Sequence, residues 1–192
     1  MGRGALAADQ KKADEEERTI IFVDEAAFYL LPMAVKTWAP VGQTPMLRVP
    51  LEHEHLSAIS GITPDGRLFL QVRKLAYDSE AVVRFLRVLL RKVPGKLVII
   101  WDRATIHRSQ VLKAFLASGA ARRIHLELLP GYAPDLNPDE GIWQYLKRHE
   151  LRNVCCATLA RLEQEVIRAR ERLRHKRSVI RSCFTLAGYF DL

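Results

Sequence analysis

Three acidic residues of this sequence occur where they could do chemistry together. Asp24 and Asp102 each follow an apolar run directly, and Glu140 follows a helix-start pattern. Carboxylates that converge repel one another unless cations lie between them, and an oxygen-only ligand set suits Mg²⁺ or Mn²⁺. Two such ions about 3.5–4 Å apart can stabilise both the attacking and the leaving oxygen of a phosphoryl displacement. The three acids therefore predict a two-ion site for phosphodiester chemistry, provided that the fold brings them together.

The two Asp residues are predicted to lie at one edge of a sheet. The runs before them are Thr19-Ile-Ile-Phe-Val and Leu97-Val-Ile-Ile-Trp. Continuous apolar runs of this length are typical of strands that are buried on both faces. If the two strands are parallel neighbours, their carboxyl ends form one rim, which is where open α/β sheets place their sites.

Glu140 is predicted to lie on the first turn of a helix. The Pro and Gly residues at 130–135 indicate a loop, and Asn137 is then a good N-cap with Pro138 at the first helical position. Acidic residues in the first turn are favoured by the helix dipole. Burial of Trp143 and Leu146 would hold this helix in place, so that Glu140 can point at a fixed position.

Each acid also has a purely structural explanation. An Asp that closes a strand is commonly a turn or cap residue, and a Glu after Asn-Pro is commonly a helix-start residue. The prediction of a site depends on the three patterns occurring in one chain.

The longer motifs around these acids resemble those of one family. The segments are FVDEAAF at 22–28, TWAPVGQTP at 37–45, IIWDRATIHRS at 99–109 and LPGYAPDLNPDEGIWQYLKR at 129–148. In these segments, and in their order over residues 20–150, the chain resembles the catalytic domain of a DDE transposase from the bacterial insertion-sequence branch of the mariner superfamily. The Pro-Asp-Leu-Asn-Pro-x-Glu segment is the most specific of them.

The resemblance implies an RNase H-like fold and divalent-metal-dependent cutting and joining of double-stranded DNA. The family's three catalytic and metal-binding carboxylates fall on Asp24, Asp102 and Glu140, which would hold two Mg²⁺ or Mn²⁺ ions. The resemblance also implies a homodimer. The helix-turn-helix modules that precede this domain in the family are not in the sequence, so we expect recognition of transposon ends to reside in an upstream segment or a separate chain.

Further residues are candidates for supporting the ligands or contacting DNA: His107, Asn137, Arg103, Lys147, Arg168 and Arg172. Arg103 stands where the family usually has Asn or another small or polar residue. We do not expect His107 to bind the metal, because Mg²⁺ prefers oxygen ligands. We also do not count Glu25 as a ligand, because it is expected on the side of the strand opposite Asp24 or in a turn.

Composition favours one domain with a nucleic-acid partner. The chain has 192 residues, of which 48% are hydrophobic, with a net charge of +8 and a pI near 9.7. Residues 147–181 contain eleven Lys and Arg against four Glu. No apolar run is long enough for a membrane span and the first twenty residues lack a signal-peptide core, so we expect a cytoplasmic, nucleoid-associated protein without a membrane partner. Three cysteines without Cys-x-x-Cys spacing are expected to be reduced packing residues.

The order of predicted elements indicates an α/β fold. A charged linker helix is expected over residues 1–18, and the catalytic domain with its basic C-terminal helix over 19–192. Strands are predicted at 19–24, 56–62, 67–73, 97–101 and 124–129. Helices are predicted from Asp78 or Ser79 to before Pro94, from after Ser109 through Leu116, at 137–149 and at 157–176. Lys36–Pro40 is predicted to be a further short strand with Trp38 in the core. This order predicts a mixed five-stranded sheet, three strands antiparallel and then parallel, with helices on both faces.

Two other functions remain open from the sequence. A nuclease of the same fold that does not transfer strands, such as an RNase H or a junction resolvase, would use similar carboxylates. A DNA-binding or assembly remnant without turnover would keep the basic C-terminal quarter but would not need the three acids.

Overall fold

The sheet has the predicted mixed topology. The structure, a computed structural model, describes residues 18–48, 53–131 and 133–189. The strands are β1 (Arg18–Tyr29), β2 (His55–Ile62), β3 (Leu68–Arg73), β4 (Lys96–Trp101) and β5 (Ile124–Leu128). Their order in the sheet is β3-β2-β1-β4-β5. The pairs β1–β2 and β2–β3 are antiparallel, whereas β1–β4 and β4–β5 are parallel.

Helices cover both faces of this sheet, as expected. They are α1 (Ser79–Lys92), α2 (Gln110–Ala117), α3 (Pro138–Tyr145), α4 (Leu159–Arg174) and α5 (Arg177–Leu186). A π-helical turn, Leu146–Glu150, extends α3, and short 3₁₀ turns occur at Thr105–Arg108, Ala120–Arg122 and Pro134–Leu136. In the described ranges, no helix has the length and apolar character that a membrane span requires.

The unbroken apolar runs result from burial on both faces. Successive side chains of a strand point to opposite faces. In β1, Ile20 and Phe22 pack in the core shared with α3, α4 and α5, whereas Ile21 and Val23 pack in the core shared with α1 and α2. The alternation in β4 is the same, so these strands need apolar residues at every position.

Local signals place the turns and caps that frame the site. The loop Thr63–Arg67 joins β2 to β3, with Gly66 at φ +88°, as a Pro-Asp-Gly turn predicts. Asp78 caps α1 by accepting a hydrogen bond from the Ala81 N–H at 2.7 Å. Asn137 caps α3 in the same way, with its Oδ1 accepting from the Asp139 N–H at 3.1 Å.

The structure corrects several predicted elements. β1 does not end at Asp24 but continues to Tyr29, because residues 22–29 pair with β2. Lys36–Pro40 forms no strand, and Trp38 is fully exposed rather than part of the core. The predicted linker helix lies outside the described residues except for Arg18, which begins β1. The C-terminal region contains α5 in addition to the predicted long helix.

Candidate active site

Asp24 is held firmly within β1. It pairs with Ser60 of β2 in the antiparallel ladder, and its Oδ2 accepts a hydrogen bond from the Trp143 indole N–H at 2.9 Å. Burial raises the pKa of Asp24 to about 7, the Trp143 hydrogen bond opposes this rise, and the charges of Glu25 and Glu140 add to it. The carboxylate is therefore costly to ionise unless a cation accompanies it.

Glu140 lies on the first turn of α3, close enough to Asp24 for its charge to affect the Asp24 pKa. The cap from Asn137, which is 8% exposed, fixes the start of this helix. Lys147 belongs to the same group of charges. Burial lowers the pKa of Lys147, and the carboxylates of Glu140 and Asp24 oppose that shift. Asp24, Glu140 and Lys147 thus lie close enough together for their charges to interact.

Asp102 lies directly after β4, at the same level of the sheet as Asp24. The last pair of the parallel ladder is Phe22 with Ile100, so both Asp residues are two positions beyond it. The Asp102 side chain is 53% exposed, and its Oδ1 lies 2.9 Å from the Ala104 N–H and 3.0 Å from His107 Nδ1. The parallel pairing thus supports the predicted common rim for the two Asp residues.

His107 is buried beside this rim rather than exposed to solvent. Its ring stacks on Trp101 and its Nε2 lies 3.1 Å from Glu25 Oε1. Burial lowers the pKa of His107, but the hydrogen bond and charge of Glu25, together with Asp102, raise it above its ordinary value. Glu25, which we did not count as a ligand, is therefore a partner of His107.

Asp139, which precedes Glu140 on the first turn of α3, is fully buried. Its Oδ1 accepts a hydrogen bond from the Ser60 hydroxyl, and its Oδ2 has no hydrogen-bond partner in the structure. Burial and the charge of Asp24 raise the pKa of Asp139 well above its ordinary value, despite the Ser60 hydrogen bond. Only its position in the Asn-Pro-x-Glu segment could have pointed to it, because a sequence does not show which side of a short helix is enclosed.

Three predicted supporting residues have partners away from the acids. Arg103 Nε donates to the Leu129 carbonyl at 3.2 Å, at the end of β5. On α4, Arg168 pairs with Glu165 at 3.0 Å and Arg172 pairs with Glu150 at 2.5 Å. Their predicted contact with DNA remains a prediction.

The donor chemistry of the rim fits a hard divalent cation, because Asp24, Asp102 and Glu140 offer only carboxylate oxygens. Burial raises the pKa of Asp24, so a cation bound beside it would favour its ionised form. Within residues 18–48, 53–131 and 133–189, however, no three His, Cys, Asp or Glu side chains are arranged so that they could hold a metal ion. Asp102 is oriented towards His107, and convergence of all three acids on shared ions remains a prediction.

A family model decides the classification. The model described as DDE superfamily endonuclease matches residues 19–163, which is most of the chain. The chain belongs to this DDE endonuclease family. The resemblance seen in the sequence motifs is therefore confirmed at the level of the family. No curated protein sequence is significantly similar to this chain.

Solved structures of Mos1 mariner transposase share its fold. The Mos1 catalytic domain is 14% identical, with a TM-score of 0.60, over 96% of this chain and 89% of that chain. A Mos1 paired end complex with Mg is 19% identical, with a TM-score of 0.62, over 96% of this chain and 60% of that chain. A Mos1 strand transfer complex is 17% identical, with a TM-score of 0.61, over 97% and 60%. The chain thus spans about 60% of the length of the Mos1 chains in the two complexes, and the expected mixed five-stranded fold with helices on both faces is confirmed.

Proposed function

We propose that this DDE endonuclease is the catalytic domain of a DNA transposase. The observation that carries the proposal is the placement of Asp24 and Asp102 two positions beyond the last pair of neighbouring parallel strands, with Glu140 close to Asp24 on a capped helix. Family membership and the fold shared with Mos1 transposase support it. The substrate would be double-stranded DNA, first at a transposon end and then at a target.

The three acids would hold two Mg²⁺ or Mn²⁺ ions between them. When bound, such ions activate a water, stabilise the leaving oxygen and neutralise charge on the phosphate. Complexes of Mos1 with Mg and with Mn support the choice of ions. The chain's own contribution is geometric: the β1 ladder and Trp143 fix Asp24, and the Asn137 cap fixes the helix that presents Glu140.

The reaction would take place in two displacements at one rim. Water attacks the phosphorus at the transposon end, and the bond to the 3′ oxygen breaks, which leaves a 3′-OH and a 5′-phosphate. The 3′-OH then attacks a target phosphodiester, and one target 3′ oxygen leaves as the new bond forms. Lys147, half-buried and close enough to Asp24 and Glu140 for their charges to interact, would pair with a phosphate that approaches them.

The wider assembly belongs to the same proposal. The Mos1 complexes support DNA as a partner, and we propose that two copies of this domain act together on paired ends. Recognition of the end sequences would lie in a segment or chain other than the described residues. The proposed place of action is the nucleoid.

The test is a nicking and joining assay with Glu140→Gln. We expect the wild-type chain to nick duplex DNA in Mn²⁺ and to join pre-cut 3′-OH ends to a plasmid, whereas the variant loses at least about 100-fold in both steps, in the range seen when one key electrostatic group is removed. The matched control is Glu127→Gln, because Glu127 lies on β5 and pairs with His125.

The two alternatives to transposition predict different results in this assay. Hydrolysis without joined product would indicate a nuclease of the same fold. Absence of both activities, together with Mn²⁺ binding that does not require the three acids, would indicate a remnant without turnover. Undiminished nicking by Glu140→Gln would remove Glu140 from the site.

A further inference from the structure

A buried histidine links two acids around the end of β4. The His107 side chain is fully buried, and its ring lies parallel to the Trp101 ring, with a centroid distance of 4.2 Å and an angle of 1° between the planes. Its Nδ1 lies 3.0 Å from Asp102 Oδ1, and its Nε2 lies 3.1 Å from Glu25 Oε1. A ring that is stacked on one side and engaged at both nitrogens has a single orientation in this packing.

This arrangement is built on the face of the sheet away from Asp24. Side chains of β1 alternate between faces, so Glu25 lies on the side of Val23, in the direction of α1 and α2. Trp101, on which His107 stacks, packs in that same core. Glu25 and His107 therefore act on the catalytic rim through Asp102, and Glu25 also through its charge on Asp24, rather than by direct contact with a substrate held at Asp24 and Glu140.

Asp102 is the acid that most needs such support. It follows the last residue of β4, and its side chain is 53% exposed, so no strand pairing or packing fixes its carboxylate. The Ala104 N–H donates to Asp102 Oδ1 at 2.9 Å, and His107 Nδ1 lies 3.0 Å from the same oxygen while it hydrogen-bonds the Asp102 main-chain carbonyl at 3.3 Å. Oδ2 is thus the oxygen that remains for an ion.

We propose that Glu25 and His107 are positioning residues that fix Asp102 at the rim, where it would bind the metal. Because a carbonyl oxygen only accepts hydrogen bonds, His107 must donate from Nδ1 to the Asp102 main chain, beside the Asp102 carboxylate, and Glu25 at Nε2 keeps the ring in the orientation that allows this donation. Hydrogen-bonded supports of metal ligands typically contribute about 10–100-fold to metal affinity. The inference rests on the proposed function, since it assumes that Asp102 binds the metal.

The test is calorimetric titration of the whole chain with MnCl₂, without DNA. In His107→Asn, the amide nitrogen occupies a position close to that of Nδ1, so this variant keeps the donor to Asp102. In His107→Gln, the amide nitrogen reaches instead towards the position of Nε2, and the donor to Asp102 is lost. We expect Mn²⁺ affinity about 10–100-fold weaker than wild type for Gln, and within about threefold of wild type for Asn.

A second pair of variants leaves the stacked ring in place. Glu25→Ala removes the partner of Nε2 and should weaken Mn²⁺ binding about tenfold, whereas Glu25→Gln can still pair with Nε2 and should bind nearly as wild type. His125→Ala is the matched control, because His125 forms a comparable His–Glu pair with Glu127 on exposed β5. Thermal unfolding of each variant shows that it is folded during the titration.

The outcomes separate this inference from the proposed function. Equal affinities for His107→Asn and His107→Gln would overturn the positioning role, because a purely structural loss does not distinguish the two amides. Loss of Mn²⁺ binding in Asp102→Asn, with wild-type binding in all the His107 and Glu25 variants, would overturn the inference alone. Wild-type binding by Asp102→Asn would overturn both.

Discussion

The three acids of the rim differ in how firmly the protein holds them. Asp24 is fixed by strand pairing and by Trp143, but it is buried and expensive to ionise. The Asp102 side chain is 53% exposed, and its Oδ1 lies 3.0 Å from His107 Nδ1. Glu140 is exposed on a capped helical turn. Binding of a cation would therefore have to offset the free-energy cost of ionising the buried Asp24 carboxyl. It would also have to offset the conformational-entropy cost of ordering the exposed Asp102 side chain.

Asp24→Asn should stabilise the metal-free protein at pH 8. The Asp24 pKa rises from an ordinary 3.8 to about 7 in the folded state, so stability falls as pH rises through this interval. Above pH 7 the penalty is at most about 4 kcal/mol, and Asn removes it. Urea unfolding in EDTA should show a gain at pH 8 that shrinks towards pH 4. An equal gain at both pH values would contradict this account.

The sequence shows which residues could be ligands better than it shows their neighbours. Asp24, Asp102 and Glu140 could be singled out because each stands at a recognisable position next to an apolar run or a helix start. The His107 contact with Glu25 could not, because it joins positions far apart in the chain across the end of a strand. The hydrogen bond from Trp143 to Asp24 was missed for the same reason.

At the scale of elements, the position of α3 depends on its close approach to α5. A methyl group added at Gly141 would lie 2.8 Å from Cys183 Sγ and 3.1 Å from Cys183 Cβ. Both distances are shorter than a normal contact between these atoms. Glycine is therefore required at this point for close packing of α3 against α5. This packing sets how near to α5 the helix that carries Glu140 can lie.

Gly141→Ala should destabilise the protein by about 1–2 kcal/mol, because overpacking costs more than the roughly 1 kcal/mol that alanine contributes to a helix. In a Cys183→Ala background the clash with Sγ is absent, and the same change should be neutral or stabilising. A double-mutant cycle measured by urea unfolding should give a coupling of about 1–2 kcal/mol. Additive effects of the two changes would contradict the proposed contact.

Elements were predictable where burial alone determines them. The runs before Asp24 and Asp102 have apolar residues at every position because both faces of their strands are covered. Lys36–Pro40 was wrongly predicted as a strand, because the pattern around Trp38 shows no more than local preference and the segment pairs with no other strand. The extension of β1 to Tyr29 was missed because its partner, β2, is distant in sequence.

At the scale of the whole molecule, positive charge is abundant but partly neutralised by ion pairs. The chain carries a net charge of +8. On α4, Glu165 pairs with Arg161 and Arg168, and Glu150 at the end of the π-helical turn pairs with Arg172 and Lys176. The basic face of α4 is therefore already paired with acids of α4 itself and of the π-helical turn.

Binding to duplex DNA should be strongly dependent on salt and nearly independent of sequence. If the chain neutralises about six to ten phosphates, its affinity should fall by about 10³–10⁵-fold between 50 and 200 mM salt. Fluorescence anisotropy with two unrelated duplexes of equal length measures both properties. An affinity that is insensitive to salt, or that strongly favours one arbitrary duplex, would contradict a binding mode based on backbone charge.

The continuation of β1 beyond Asp24 limits how the chain can vary in length. Because neighbouring side chains alternate between faces, one residue inserted in β1 before Val23 would move the Asp24 carboxylate to the α1 and α2 side and bring Val23 to the rim. Insertions between Leu31 and Arg48, where no strand pairing is present, would leave that register intact. Working relatives of this chain should therefore share a constant length over 18–29 and vary in the segment that follows.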